Sequence, residues 1–352
     1  MSEILQGTEA ALRLADSRDV SKLREFLLAE PTKPMLFVGN GGMQGHFACM
    51  LYEQNAGIGR PLTPFMLRAI SDEALRNCRC LLMSSGGHNI DIKDATKRMA
   101  AVNKANTGGF TGVASKENIL IKLLDPDKIF LFPRSKDGVF PKGFISVCEQ
   151  FYRDALFYKA FTGKSAAEQM TVNLEPTHCY HYELNHSDGP LTPLSSIKHY
   201  LILHGGMGTT AAHYIESVLA EGGMESAQVT DYRNFCHGRF IFASNHTRHQ
   251  TKKHTLEESD TAVILLVSPE ERIIAENIRK TVPNADWQVL PNETPVITIS
   301  SDYTDALAAI DLHIKSSVFI ADLAENHLNN NPFNPNNFSH VRKEYPIGGL
   351  RW

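Results

Sequence analysis

The sequence predicts an α/β protein made of two tandem, doubly wound units, each a parallel sheet with helices on both faces. Short apolar runs of strand length end in glycine turns, and apolar residues at helical spacing follow. This happens at Met35–Val38, at Leu81–Met83 and again at Tyr200–Leu203. A strand that feeds a helix directly belongs to a βαβ crossover, which builds parallel sheets and places ligands outside the carboxyl ends of the strands. The pattern restarts near residue 197 after an aperiodic stretch, so the two halves carry the same succession of elements and suggest an internal duplication.

Residues 1–30 form a helical lead-in, with Leu5, Leu12, Leu14, Leu23, Phe26 and Leu27 interrupted near Asp16-Ser17-Arg18, which gives one or two helices. The first unit covers 31–170. Its strand Met35–Val38 runs into Gly39-Asn40-Gly41-Gly42 and a helix through Phe47, Met50 and Leu51, and its next strand runs into Ser84-Ser85-Gly86-Gly87 and a helix through Ile90, Ala95 and Met99. Further strands are expected at Phe110–Val113 and Ile129–Phe132, then a long amphipathic helix from Ile145 to Tyr158. Residues 171–196, rich in His, Pro and Asn, read as a linker. The second unit, 197–325, has the strand Tyr200–Leu203, the turn His204–Gly208 and a helix Thr209–Ala220, with strands at Phe240–Phe242, Ala262–Val267 and Val296–Ile299. Ser268-Pro269-Glu270 is a helix start, with Pro at its first turn. From 326 to 352 the density of Asn and Pro forbids a packed helix, while Phe333, Phe338, Val341, Tyr345 and Trp352 call for a docked C-terminal arm.

A hydrophobic content of 42% over 352 residues supplies the core of one large or two ordinary domains. The net charge of −4, without a Lys/Arg run, argues against nucleic-acid and membrane-surface partners, whose footprint is basic. Glu3 and Glu9 break any export signal, and no apolar run approaches the roughly 18 residues of a spanning helix. A soluble, cytoplasmic protein is expected. Six scattered cysteines, with no CxxC pair, are expected to be reduced and mostly buried. The histidines at 178, 181, 186, 246, 249 and 254 lack paired Cys or a helical HxxxH, so no metal is expected, and the Gly39 turn lacks both the GxGxxG and the P-loop spacing, so no nucleotide cofactor is expected either.

The turn after Met83 is the candidate binding site. Ser84, Ser85, Gly87, His88 and Asn89 stand where the first free N–H groups of the next helix point, and backbone donors with the helix dipole attract an anion such as phosphate. An ordinary capped turn accounts for the same residues. Gly41 and Gly42, in the matching turn one crossover earlier, are candidates to line the same ligand. Glu221, in a last helical turn before Gly222-Gly223, faces the negative end of the helix dipole, and a carboxylate placed against its preference suits a general base. A solvated helix-end Glu without a role is the alternative.

These residues resemble the double SIS (sugar isomerase) family, which includes the isomerase part of glucosamine-6-phosphate synthase and related phosphosugar isomerases and deaminases; the likeness covers about residues 30 to 343. It implies two SIS-like, flavodoxin-like subdomains. The family's phosphate turn reads Ser-Gln-Ser-Gly-Glu-Thr-x-Asp; here Ser84, Gly87 and Asp91 match, whereas Ser85, Gly86, His88 and Asn89 depart. The family's catalytic Glu and the His sixteen residues later, before a Gly, fall on Glu221 and His237-Gly238. The resemblance makes Glu221 the proton carrier and His237 the ring-opening acid or base, supplied from the neighbouring subunit of a homodimer or higher homo-oligomer. The family's C-terminal Lys aligns with His340, and the nearest Lys is Lys343, so either is a candidate proton carrier over the sugar. A glutamine-hydrolysing part, with its N-terminal nucleophilic Cys, is not expected. The expected function is isomerisation, deamination or deglycation of a small-molecule phosphosugar without a cofactor; the alternative is a non-catalytic phosphosugar-binding regulatory module.

Overall fold

The computed structural model describes residues 2–41, 45–133, 147–240, 260–280, 289–290 and 293–328, and the chain divides into two compact units between Met170 and Thr171. The first unit opens with helices α1 (Ser2–Asp16) and α2 (Ser21–Leu28), then alternates β1 (Met35–Val38), α3 (His46–Asn55), β2 (Gly59–Leu62), β3 (Arg79–Ser84), α4 (Ile90–Asn103), β4 (Thr107–Thr111), β5 (Ile129–Leu131) and α5 (Val147–Thr162). Its sheet has the order β2-β1-β3-β4-β5, with every pair parallel. All residues of β1, β3 and β4 are buried, which is why β1 and β3 read as unbroken apolar runs. The faces still alternate: Leu36, Val38, Cys80 and Leu82 meet Ile92, Ala95 and Met99 of α4 on one side, while Phe37 meets Tyr52 of α3 on the other, ring centroids 5.8 Å apart.

Two expectations for this unit need correcting. β2 was not foreseen, because Gly-Arg-Pro-Leu is no apolar run; it is an edge strand, of which only Leu62 is buried, and an edge tolerates Pro61. The helix expected to be amphipathic, α5, is buried on nearly every side, including Arg153 and Asp154, because α1 packs along it.

The second unit contains β6 (His181–Leu184), β7 (His199–His204), α6 (Thr209–Glu221), β8 (Ser226–Asp231), β9 (Thr261–Val267), α7 (Arg272–Arg279), β10 (Pro295–Ser300) and α8 (Asp305–Asp322). The sheet order is β6-β10-β9-β7-β8. Its four parallel strands repeat the winding of the first unit, and β6, antiparallel to β10, takes the fifth place. The segment 171–196 is therefore not a plain linker. It carries an edge strand whose polar His181 and Glu183 hid it from an apolar-run search. β8 is the other edge, with only Thr230 buried, and it too gave no apolar signal. Phe240, expected in a strand, has helical dihedrals, and Ile241 and Phe242 lie outside the described residues. One face of the sheet packs Leu201, Leu203, Val263 and Leu265 against Ala275 and Ile278 of α7. On the other, α6 and α8 pack together, and Phe319 sits edge-on to Tyr200 at 6.3 Å. Helical turns continue past α8 to His327, and the arm beyond Leu328 lies outside the described residues. The six cysteines are free; four are buried, and burial pushes the thiol of Cys148 up to about 11 and that of Cys49 up to about 12. No helix among the described residues is long and apolar enough to cross a membrane.

Candidate functional site

In the first unit β1 connects outward to β2 and β3 connects the other way to β4, so the winding reverses between β1 and β3 and a crevice opens at their carboxyl ends. The Ser84–Asn89 turn lies on that crevice. Ser84 is 8% exposed, and its Oγ accepts from the Gly87 N–H at 3.0 Å, which folds the turn back on the strand end. Gly87 has φ +69°. A Cβ there would stand 1.9 Å from Asn118 Oδ1, so the position requires glycine twice over, for its dihedral and for its close approach. Asn118 is held by its amide, which donates to Thr111 Oγ1 (2.8 Å) and to the Val113 carbonyl (3.0 Å).

Asn89 is the N-cap of α4, its Oδ1 accepting from Asp91 N (2.9 Å) and Ile92 N (3.3 Å). The cap satisfies two of the helix's first donors, so toward a ligand Asn89 has its amide NH2 to offer. His88 is exposed beside it. Ser85 is turned elsewhere: its Oγ donates at 2.8 Å to Glu149 Oε1, in the first turn of α5. Glu149 was not a candidate from the sequence. It stands 64 residues from Ser85, and no local pattern joins them. Gly41, at φ +52°, ends the described part of the β1 turn; Gly42, His340 and Lys343 lie outside the described residues.

In the second unit the matching reversal falls between β7 and β9. There a cavity of about 840 Å³ is lined by His204 and Gly205 after β7, by Asp231, Arg233, Cys236 and His237 after β8, and by Glu270, Glu271 and Ile274 after β9. His204 Nδ1 lies 2.7 Å from the Gly205 carbonyl, which can only accept, so this nitrogen carries the proton. Burial pulls the His204 pKa below its ordinary 6.5, against the raising effect of that hydrogen bond. Burial works against the charge of Asp231, but N–H donors from Asn234 and Arg233 and the Asn234 amide outweigh it and hold its carboxyl below the ordinary range. The same bonds cap the turn that presents His237, whose side chain is exposed; Gly238, at φ 127°, ends that turn.

Glu221 is not in this cavity. It ends α6, exposed, and its Oε1 accepts from Ser217 Oγ at 3.0 Å. Because α6 runs back along the sheet, Glu221 precedes the amino end of β8 while His237 follows its carboxyl end. The six residues of β8 separate them by about 20 Å.

Two tandem units of this winding, each opening a crevice between its first and third parallel strands, define the SIS-type fold. Solved structures share it over nearly the whole chain. Glucosamine-6-phosphate deaminase from Thermotoga maritima matches with a TM-score of 0.59 at 13% identity, covering 95% of this chain and 96% of its own. Tagatose-6-phosphate ketose/aldose isomerase from Escherichia coli matches with a TM-score of 0.59 at 14% identity, covering 90% of each chain. The C-terminal domain of glucosamine-fructose-6-phosphate aminotransferase from Francisella tularensis matches with a TM-score of 0.55 at 12% identity, covering 95% of this chain and 97% of its own. No protein-family model matches the sequence, and no curated protein matches it. At these identities the likeness is one of fold.

Proposed function

We propose that the protein is a phosphosugar-binding enzyme, an aldose–ketose isomerase or a related deaminase or deglycase acting on a sugar or amino-sugar phosphate. The observation that supports it most is the first unit's switch-point turn, where a left-handed Gly87, the Ser84 hydroxyl and the start of α4 converge at the strand ends. The structural neighbours named for phosphosugar chemistry add to this reading. In it the phosphate sits at Ser84, Gly87, His88 and Asn89, with Gly41 and Gly42 as further candidates to line it, and Ser85, whose proton goes to Glu149, accepts from a hydroxyl of the sugar. Glu221 takes the proton from carbon 2 of the open-chain sugar and returns it to carbon 1, while a proton passes from the carbon 2 hydroxyl to the carbonyl oxygen of carbon 1. His237, from a second copy of the chain, opens the ring, and His340 or Lys343 serves as a proton carrier over the sugar. The reaction uses no cofactor, and the working form is a cytoplasmic homodimer or larger homo-oligomer.

A second reading, a phosphosugar-binding regulatory module, is favoured by the exposure of Glu221 and by the Ser85–Glu149 bond, which takes a hydroxyl proton away from any phosphate. Hydrogen exchange separates the two. Incubated in D2O with glucose, fructose and glucosamine 6-phosphates, the protein should incorporate deuterium at carbon 2 of the two aldoses and at carbon 1 of the ketose, and Glu221→Gln should slow this by about a hundredfold without loss of affinity. Tight binding with no exchange into any of the three sugars would establish the module instead.

A further inference from the structure

In the second unit a protein carboxylate lies where an anion would bridge the two switch-point turns. Glu271 Oε1 accepts from Met207 N at 3.2 Å, in the turn after β7, and Oε2 accepts from Ser268 N at 3.1 Å, in the turn after β9. The side chain is buried, with the residue 8% exposed. A capping box explains the Ser268 bond, since a Glu three residues after the N-cap commonly reaches back to it. It does not explain the bond from Met207, which comes from a different crossover. Nor does it explain Gly205, where a Cβ would stand 2.0 Å from Oε1, so that the β7 turn closes directly onto the carboxylate.

The first unit treats the corresponding place differently. Glu271 is the fourth residue after the end of β9, and the fourth residue after the end of β3 is His88, which is exposed and neither reaches back as an acceptor nor carries negative charge. Asp231 and Glu270 also line the second unit's cavity and set further negative charge beside Glu271. Burial raises the Glu271 pKa, the N–H donors opposing it, as for an anion held in a site of limited polarity.

We propose that Glu271 is a built-in anion that closes the switch-point cradle of the second unit, so that the duplicated fold takes a phosphate ligand at the turn of the first unit alone. The second half of this statement rests on the phosphosugar reading given above. Its first half stands on the Glu271 geometry.

The test is calorimetric titration of the full chain with glucose 6-phosphate and, separately, inorganic phosphate. The wild type should bind one glucose 6-phosphate per chain, and Ser84→Ala should weaken that site about tenfold, the scale of one hydrogen bond to a charged group. Glu271→Ser should add a second site for inorganic phosphate that persists in the Ser84→Ala background. Two sites per wild-type chain, or a cooperatively folded Glu271→Ser that gains no phosphate binding, overturns the proposal. Should Glu271→Ser fail to fold, Glu271→Asn, one methylene shorter and uncharged, takes its place in the phosphate titration with the same expected and overturning results. Absence of binding by the wild type to glucose, fructose and glucosamine 6-phosphates alike sinks the phosphosugar reading but not the plug, which is still judged by phosphate binding to Glu271→Ser.

Discussion

Gly87→Ala is the sharpest perturbation of the binding turn, because its cost can be worked from the structure. Alanine at φ +69° costs about 1 to 2 kcal/mol in backbone strain. Its Cβ would stand 1.9 Å from Asn118 Oδ1 and 2.5 Å from Cγ, so Asn118 must move. Asn118 is fully buried, and moving it gives up bonds to Thr111 Oγ1, to the Val113 carbonyl and from Leu120 N (3.1 Å). At about 1 kcal/mol each, two or three lost bonds bring the total to about 3 to 5 kcal/mol, a large share of the 5–15 kcal/mol typical of a domain. Gly86→Ala is the control one residue away. The nearest atom to a Cβ there is His88 Cδ2 at 3.2 Å, on an exposed side chain that can swing aside, so its effect should stay within about 0.5 kcal/mol. Urea unfolding followed by circular dichroism compares the two variants, and phosphosugar titration of each reports the turn itself. Equal urea midpoints would show that neither the left-handed turn nor the Asn118 clasp holds this site together.

Two further outcomes are expected. If Glu221 and His237 act on one sugar from different chains of a dimer, Glu221→Gln and His237→Asn should each be slowed by about a hundredfold, and mixing them under subunit exchange should restore about a quarter of the wild-type rate, since half the dimers are mixed and each holds one intact site; no recovery on mixing refutes the shared site. His204 has a pKa depressed below its ordinary 6.5, so its contribution to stability is present above that value and is lost as the pH falls through the folded-state pKa; urea midpoints measured from pH 8 to 5 should fall on the acid side, and His204→Asn should flatten the fall, whereas parallel profiles would show that His204 is not the group responsible.

The sequence revealed the buried parallel strands and concealed three of the four edges, for one physical reason; the fourth edge, β5, showed because its three residues are all apolar. β1, β3, β7 and β9 lie inside their sheets with both faces covered, so nearly every side chain is apolar and the run is visible. β2, β6 and β8 are edges, half in water, and their Arg60, His181, Glu183 and Gln228 erase the run. The turns were legible because glycine and an N-cap asparagine are local requirements, as Gly87 and Asn89 show. The partners of those turns were not. Asn118 and Glu149 reach the Ser84–Asn89 turn from later crossovers, and only the winding of the sheet brings them there.

The spacing between Glu221 and His237 illustrates how a sequence match can mislead about proximity while informing about assembly. Sixteen residues here comprise a helix end, a short turn, the whole of β8 and the loop beyond it, so the pair is held apart by the length of a strand. Packing fixes that separation: β8 is registered on β7 from Ser226 to Asp231, and α6 packs on both strands. No rotamer change closes about 20 Å, and a hinge able to do so would have to break the sheet. A reaction that needs a carboxylate and an imidazole at the same sugar must therefore draw them from different copies of this unit. If the protein catalyses exchange while remaining a monomer in light scattering, one of the two residues has no part in the chemistry, and Glu149, already hydrogen-bonded to the binding turn, becomes the carboxylate to test in place of Glu221.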